Sequence, residues 1–481
     1  MVDRPGPLAG APSWTERAVR SPLRSALDVL VETHAAGRFL SAPMAVAVGF
    51  YGVLTVTFAH FVVTNDALVY YDFLRRLLGA DVVTSYSRGF GSALFDLPFY
   101  LAARAIDLAT GLSSAFGASL GEVSVTAATM VALVLTLYLG WRVLVELELP
   151  AGPAVLLLAL FGSPLFYYAV FQTTYKHAVD ALGFTLVAFL LLRTLRRPKA
   201  WTLLALGASL AFLVAIRPAN VTLVPGVLVA LLLKRELRAG GLVVVATVAF
   251  TALLFAIPRA RGIPRHPVEI EKKALVAPRP LAGAIPQAAG VLALYGGICK
   301  NPGYHLTFWQ CVHNGLGLWW SPSAPAKMLF SVRRGIFLWT PLTAFATLGA
   351  ALLLFSRPER RPFVAGLWVC AVGLLLAHWF WADFWTGGFS FSQRFLASLF
   401  PFYLVGTAEL LRRRRAAALA VLTACAAFSL FLGFEHYVGY RGNSAQDGLG
   451  TVFESYTTGE RTPVDLARNV GFRALDRWGF R

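Results

Sequence analysis

The chain has 481 residues, of which 57% are hydrophobic and only 14% charged, and its mean hydropathy is +0.63. Soluble domains are nearer half apolar and a quarter charged, so this composition excludes an ordinary soluble protein. The net charge of +18 does not indicate nucleic-acid binding, because the basic residues lie in short groups between apolar blocks. Membrane topology and lipid headgroups explain that distribution better than a basic arm or face would.

Long apolar blocks separated by short basic segments indicate a polytopic helical membrane protein, because a spanning backbone must satisfy its own hydrogen bonds. We predict a cytoplasmic lead over residues 1–42, a transmembrane domain over 43–434 and an extracytoplasmic tail over 435–481. Two outside regions, 63–122 and 258–335, are too long to be simple connectors. Loops of this length usually carry function.

The first outside region contains two predicted helices. The sequence predicts a short amphipathic helix over residues 65–78, which Gly79 ends. Residues 93–108 are apolar but interrupted by two acids, an arginine and a proline, which favours a helix at the membrane interface. A true span at this position would invert the topology of everything downstream.

With the interfacial assignment, about eleven segments of membrane-spanning length remain. They lie at residues 43–62, 123–144, 153–170, 178–192, 201–216, 219–233, 242–257, 336–355, 363–380, 395–411 and 416–434. The short turns at one end of these spans hold most of the basic residues, and the positive-inside rule makes that end cytoplasmic. We therefore expect an all-α polytopic fold with its N-terminus inside and its C-terminus outside.

Asp66 is the first candidate for chemistry, because it follows the first span directly. The positive end of a helix keeps a carboxylate ionised and able to accept a proton, which suits a catalytic base. The alternative is a first-turn acid that only interacts with the helix dipole. The sequence leaves both interpretations open.

Two further polar sites have both a structural and a functional interpretation. Asp96 is either a second acid or the partner of Arg88 or Arg104, and we favour an ion pair. Asp180 follows Lys176 and His177 at helical spacing, so either cation could neutralise it. In the functional interpretation, this turn forms a site wall where a cation holds a phosphate.

Arg217 stands in a tight turn between two predicted spans, where it either snorkels towards water or binds a lipid phosphate. A later stretch over residues 379–395 combines three tryptophans, a Gly-Gly pair and a run of hydrogen-bond donors. An aromatic belt at the interface explains the tryptophans but not the glycines or the donors. We therefore favour binding roles for Trp385, Gln393 and Arg394.

The loop over residues 295–320 adds aromatic, amide and imidazole side chains that commonly line sugar or headgroup sites. His305 is our candidate from this loop for a substrate-binding wall. His305 and His313 lack nearby carboxylates, so a metal site is not favoured here.

Four features resemble the GT-C superfamily of polytopic membrane glycosyltransferases, in the branch of the dolichyl-phosphate-mannose protein mannosyltransferases and bacterial aminoarabinose transferases. They are Asp66 after the first span, Gly-x4-Asp-Leu-Pro-x-Tyr over Gly91–Tyr100, the turn Arg217–Asn220, and Trp-x3-Trp-x-Gly-Gly-x-Ser-x3-Arg over 381–394. The resemblance covers most of residues 43–411.

The resemblance implies a role for each matching residue. Asp66 would deprotonate the acceptor, and Asp180 loosely matches a second acid of an outside loop. Arg394 would bind the donor phosphate, with Lys176 and Arg217 as weaker candidates. Asn65 stands where many members of the superfamily carry another acid.

The implied function is the inverting transfer of a sugar from a polyprenyl-phosphate donor to a glycan, lipid or protein acceptor on the outer face of the membrane. The expected partners are these substrates and membrane lipids, with no nucleic acid. No cofactor is expected, and a divalent metal is not favoured. The rival hypothesis is a transporter or flippase of a lipid-linked or anionic solute, which needs charged or broken-helix sites near the bilayer midplane.

Overall fold

The computed structural model describes residues 42–63, 66–82, 89–263, 324–379, 391–439, 449–459 and 462–477. The N-terminal part contains α1 (Ala42–Phe58), α2 (Asp66–Leu77), α3 (Gly91–Thr110), α4 (Leu120–Glu146), α5 (Pro153–Phe161), α6 (Leu165–Val170), α7 (His177–Arg196), α8 (Ala200–Ile216), α9 (Leu223–Leu233) and α10 (Leu237–Ala260). The C-terminal part contains α11 (Ala324–Phe330), α12 (Ile336–Trp339), α13 (Leu342–Ser356), α14 (Arg361–Trp379), α15 (Phe400–Arg413), α16 (Arg415–Gly439), α17 (Leu449–Thr457) and α18 (Pro463–Arg477).

Shorter elements complete the described part of the chain. An antiparallel hairpin of β1 (Ser114–Ala115) and β2 (Ala118–Ser119) precedes α4. Short 3-10 helices occupy Pro218–Thr222, Pro358–Arg360 and Arg394–Leu399.

Six helical segments in the described residues are long and apolar enough to span a membrane. They are Leu120–Glu146, His177–Arg196, Leu237–Ala260, Pro358–Ala377, Arg394–Arg413 and Arg415–Val438. Four shorter apolar segments are Met44–Phe58, Ala200–Ile216, Pro218–Leu233 and Leu342–Ser356. Each of the eleven predicted spans overlaps a helix in the described residues, so the prediction of an all-α polytopic membrane protein is confirmed.

Two of the predicted spans are broken helices. Residues 153–170 divide into α5 and α6, and residues 336–355 divide into α12 and α13. Pro164 and Pro341 stand at the N-caps of the second halves, where a missing N–H removes no helical hydrogen bond. The two breaks lie against each other, because a Cβ at Gly162 would overlap the side chain of Leu342.

Glycines allow several helices to pack at short distances. A Cβ at Gly406 of α15 would overlap the carbonyl oxygen of Ala346 in α13. A Cβ at Gly226 of α9 would lie 2.9 Å from the backbone nitrogen of Cys370 in α14. Close approach through small residues is the usual packing mode in a bilayer, where burial of apolar surface gives no driving force between helices.

The two ends of the bundle differ in their charges. The basic end contains Glu146, which pairs with Arg193 at 2.8 Å and Arg196 at 2.7 Å, and Glu409, which pairs with Arg412 at 2.7 Å and Arg413 at 2.6 Å. The opposite end contains the starts of α4, α7 and α15 and the turn after α8. Because α7 and α8 are antiparallel neighbours, His177 and Arg217 both lie at this opposite end.

Candidate functional site

Helix α3 is fixed to the end of α8 by backbone contacts. The Phe90 N–H donates to the carbonyl oxygen of Ala215 at 2.6 Å. Gly89 has a φ of +96°, and a Cβ there would overlap the carbonyl oxygen of Ile216. A Cβ at Gly91 would lie 2.7 Å from the Ile216 nitrogen. Glycine is therefore required at both positions for α3 to dock beside Arg217.

The docked helix forms a buried ion pair with the residue before α7. The Lys176 Nζ lies 2.8 Å from the Asp96 Oδ2, and both side chains are almost fully buried. Burial raises the pKa of the Asp96 carboxyl and lowers the pKa of the Lys176 ammonium, because loss of water disfavours each charged form. Their mutual attraction opposes both shifts.

The ion pair that we favoured for Asp96 is present, but its partner differs from both candidates. Arg104 is exposed on α3, and Arg88 lies outside the described residues. Lys176 becomes the partner because α3 packs against α7. A single sequence does not reveal that packing.

A second buried acid lies one turn into α7. The Asp180 Oδ2 is 3.3 Å from the Arg217 Nη1, and the Asp180 Oδ1 accepts a hydrogen bond from the Asn220 amide at 2.6 Å. The Arg217 Nη2 lies 3.2 Å from the His177 Nδ1. The expected partners of Asp180, Lys176 or His177, are therefore wrong, since Arg217 reaches Asp180 from the end of the neighbouring helix.

Aromatic rings connect these ion pairs to the 3-10 helix at Arg394–Leu399. The guanidinium carbon of Arg217 lies 5.5 Å from the Phe395 ring centroid, and that of Arg394 lies 5.0 Å from the same centroid. The Arg394 carbon is also 6.0 Å from the Tyr175 ring centroid. Both arginines therefore lie beside one phenylalanine ring, at distances typical of cation–π contacts.

We use the name polar cluster for the residues that meet at this end of the bundle. They are Asp96, Lys176, His177, Asp180, Arg217, Asn220, Gln393 and Arg394. Seven of our nine candidate substrate-binding residues, Arg394 among them, therefore lie close to one another although they come from widely separated segments.

Several buried polar atoms around the polar cluster have no hydrogen-bond partner in the described structure. Gln393 is fully buried, and neither its amide oxygen nor its amide nitrogen has a partner. The Ser92 hydroxyl and the Asn220 amide oxygen also lack a partner in the described structure. Buried polar atoms are normally satisfied, so this concentration of unsatisfied atoms marks a place where a polar ligand would gain hydrogen bonds.

Three predicted site residues have no described side chain. Trp385 and His305 lie outside the described residues, and Asp66 is described only as the first residue of α2. The chain before α2 is held at the same end of the bundle as the polar cluster. His60 donates its backbone N–H to Phe171 at 2.9 Å, and Val63 donates to the Glu122 carboxylate at 3.0 Å.

A second group of polar and aromatic side chains was missed in the sequence. Arg334 is buried, with its guanidinium carbon 5.0 Å from the Trp339 ring centroid. The His436 Nδ1 lies 2.8 Å from the Tyr167 hydroxyl, and the rings of Tyr167 and Phe391 stack at 4.8 Å. Arg334 and His436 lie at the ends of predicted spans, where a sequence offers no signal that distinguishes them from ordinary flanking residues.

Asn220 was noted only as part of a turn, and its bond to Asp180 is the feature that the sequence did not reveal.

A metal site is not formed by the described residues, which contain no group of three or more His, Cys, Asp or Glu side chains that could hold an ion.

Comparisons with known proteins show a likeness to solved structures only. No protein-family model and no curated protein matches the chain. One solved structure that resembles it is the crystal structure of the Archaeoglobus fulgidus oligosaccharyltransferase in the apo form, with a TM-score of 0.48 and 12% sequence identity. The likeness covers 92% of this chain and 59% of that one. We draw no functional conclusion from a likeness at this level.

Proposed function

We propose that the chain is a GT-C-type membrane glycosyltransferase that transfers a sugar from a polyprenyl-phosphate donor to an acceptor hydroxyl or amine on the outer face of the membrane. The observation that carries this proposal is the polar cluster, in which cations and unsatisfied buried amides meet at the end of the bundle opposite the basic end. By the positive-inside rule the basic end faces the cytoplasm. The polar cluster then faces outwards, with the N-terminus inside and the C-terminus outside.

The proposed reaction is a single displacement at the anomeric carbon. The acceptor oxygen or nitrogen forms a bond to that carbon, and the bond between the carbon and the phosphate oxygen breaks with inversion. Asp66 takes the proton that the acceptor loses, as a general base. The bond electrons leave with polyprenyl phosphate.

The proposed role of the cations is to stabilise the departing phosphate. Fixed positive groups aimed at developing negative charge are effective because they need no reorganisation during the reaction. Arg394 is the residue that we assign to direct contact, since its guanidinium offers several donors in a planar fork. Lys176 and Arg217 are already held by Asp96 and Asp180 at 2.8 and 3.3 Å, so we assign to them the shape and the positive potential of the site.

The proposed recognition of the sugar uses neutral polar groups. The unsatisfied amide of Gln393 can both donate to and accept from sugar hydroxyls. Asp180, His177, Trp385 and His305 remain proposed wall residues of the same site. For the acceptor, we propose only the reacting group, a hydroxyl or an amine, which a glycan, a lipid or a protein could carry.

The experiment uses the purified full chain in detergent with a polyprenyl-phosphate sugar and a panel of acceptors. We expect release of polyprenyl phosphate that depends on the acceptor. Asp66→Asn should abolish the release without changing the thermal unfolding midpoint. Failure to release polyprenyl phosphate with any donor in the panel would contradict the proposal.

A transporter is the second candidate, and the broken helices α5–α6 and α12–α13 are the observation that favours it. Hydroxyl groups at these breaks bond to nearby carbonyls, however: Ser163 donates to Leu160 at 3.0 Å and Thr340 donates to Ile336 at 2.7 Å. Those carbonyls are therefore less available to coordinate a solute. Solute movement across proteoliposomes without loss of the sugar–phosphate bond would favour transport over transfer.

A further inference from the structure

A cleft at the basic end of the bundle is separate from the polar cluster. It has a cavity volume of about 290 Å³ and lies where the ends of α4, α7 and α9 meet the turn before α14. Its charged lining residues are Glu146, Glu148, Arg196, Lys234, Glu359 and Arg360. The cleft plays no part in the proposed transfer reaction.

Arg360 is the most buried cation of this cleft. Its side chain is only 8% exposed, and its Nη1 atom has no hydrogen-bond partner in the described part of the chain. Its other contacts are to exposed acids: Glu148 at 3.2 Å and Glu359 at 3.9 Å, with side chains 81% and 60% exposed. Such exposed pairs are weak, because water screens them.

Lys234 supplies a second cation at the end of α9. It is exposed and lines the same cleft, and in the described structure its ammonium has no ion-pair partner. The acid that lies deepest in the lining, Glu146, is already paired with Arg193 and Arg196. The buried donor of Arg360 and the ammonium of Lys234 are thus available to an incoming anion.

The remaining walls identify the kind of anion. Leu147, Leu192, Leu195 and Phe363 line the cleft beside these cations, so an anion with an apolar tail would contact both the cations and an apolar wall. Basic pockets between spans on the cytoplasmic side bind phosphate-bearing headgroups, and anionic lipids are concentrated in that leaflet. We infer that this cleft binds a phosphate group, carried by an anionic phospholipid or by soluble phosphate, through Arg360 and Lys234.

The test measures binding to the purified full chain in a neutral detergent by titration calorimetry. One arm uses short-chain phosphatidylglycerol, a second uses inorganic phosphate, and a third uses a short-chain diacylglycerol that lacks the phosphate. Lys234→Gln and Arg360→Gln should each weaken phosphatidylglycerol binding about tenfold, because each removes a charge-assisted hydrogen bond. Arg238→Gln is the matched control, since Arg238 is exposed at the same end but does not line the cleft.

Substitution of the acid beside Arg360 should change the phosphate affinity in the opposite direction. Glu148→Gln removes a carboxylate that competes for Arg360, so it should tighten binding. If Arg360→Gln lowers the thermal unfolding midpoint, Lys234→Gln still tests phosphate binding. Lys234 makes no ion pair in the described structure, so its substitution breaks none.

The three arms identify the source of the phosphate. Binding of phosphatidylglycerol alone supports a lipid headgroup, and binding of both phosphate probes supports a site for phosphate itself. The inference is overturned if neither probe binds, if diacylglycerol binds as tightly as phosphatidylglycerol, or if Lys234→Gln binds as tightly as the Arg238→Gln control.

Discussion

The Lys176 ammonium contacts the Asp96 carboxylate at 2.8 Å, and both side chains are removed from water. This contact joins α3, which lies outside the candidate spans of the described chain, to the residue that precedes α7. A buried ion pair contributes little net stability, but removal of one partner leaves an uncompensated charge. The pair therefore fixes the position of α3 in the polar cluster rather than stabilising the bundle as a whole.

We expect Lys176→Met to lower the free energy of unfolding by about 3–5 kcal/mol, the usual loss when a buried charge is left alone. The double variant Lys176→Met/Asp96→Leu removes both charges and should recover most of that loss. Thermal unfolding in detergent measures the stability of the single and the double variant. A double variant that is no more stable than the single one would show that the two residues do not act as a pair.

Gly89→Ala should separate α3 from α8, because the added Cβ would overlap the Ile216 carbonyl oxygen. Gly79→Ala is a matched control. Gly79 has a φ of +94°, close to the +96° of Gly89, but no atom lies within 4 Å of its Cβ position. Gly79→Ala carries only the strain of a left-handed conformation, about 1–2 kcal/mol. Equal losses of thermal stability in the two variants would contradict the docking contact.

The helical architecture could be predicted because apolar blocks of spanning length and basic turns are read directly from the sequence. The breaks in the helices after α5 and α12 could not be predicted from the sequence. Pro164 and Pro341 are visible in the sequence, but prolines are tolerated inside transmembrane helices when neighbours satisfy the backbone. A proline therefore does not reveal whether a span continues or restarts.

The pairing of charges in the polar cluster could not be predicted for a related reason. Local spacing favoured Lys176 or His177 as the partner of Asp180, because residues three and four apart share a helix face. The actual partner is Arg217, which comes from the end of α8. Which helices are neighbours decides such pairs, and one sequence does not contain that information.

Gly406→Ala should destabilise the contact between α13 and α15, since its Cβ would overlap the Ala346 carbonyl oxygen. Gly241→Ala in α10 is the control, because its Cβ position has no atom within 4 Å. Alanine is the better helix former by about 1 kcal/mol, so Gly241→Ala should be neutral or slightly stabilising. Thermal unfolding compares the two, and a Gly406→Ala variant as stable as Gly241→Ala would contradict the close approach.

Asn220→Ala should lower the free energy of unfolding by about 1.5–3 kcal/mol, because a hydrogen bond to a buried carboxylate is lost. The amide donates to Asp180 at 2.6 Å and to the Leu213 carbonyl oxygen at 3.0 Å. Thr222→Val is a nearby control that removes only a local bond to Ala219. Similar effects in the two variants would show that Asn220 does not support Asp180.

The measurement that tests the central claim most directly separates donor binding from sugar transfer in single-turnover experiments with a polyprenyl-phosphate sugar. We predict that Asp66→Asn binds the donor with unchanged affinity but releases no polyprenyl phosphate, and that Arg394→Gln binds the donor at least about tenfold more weakly, as expected for loss of a charge-assisted contact. Arg238→Gln, at the basic end, should change neither quantity. Release at the unaltered rate by Asp66→Asn, or unaltered donor affinity in Arg394→Gln, would contradict the account.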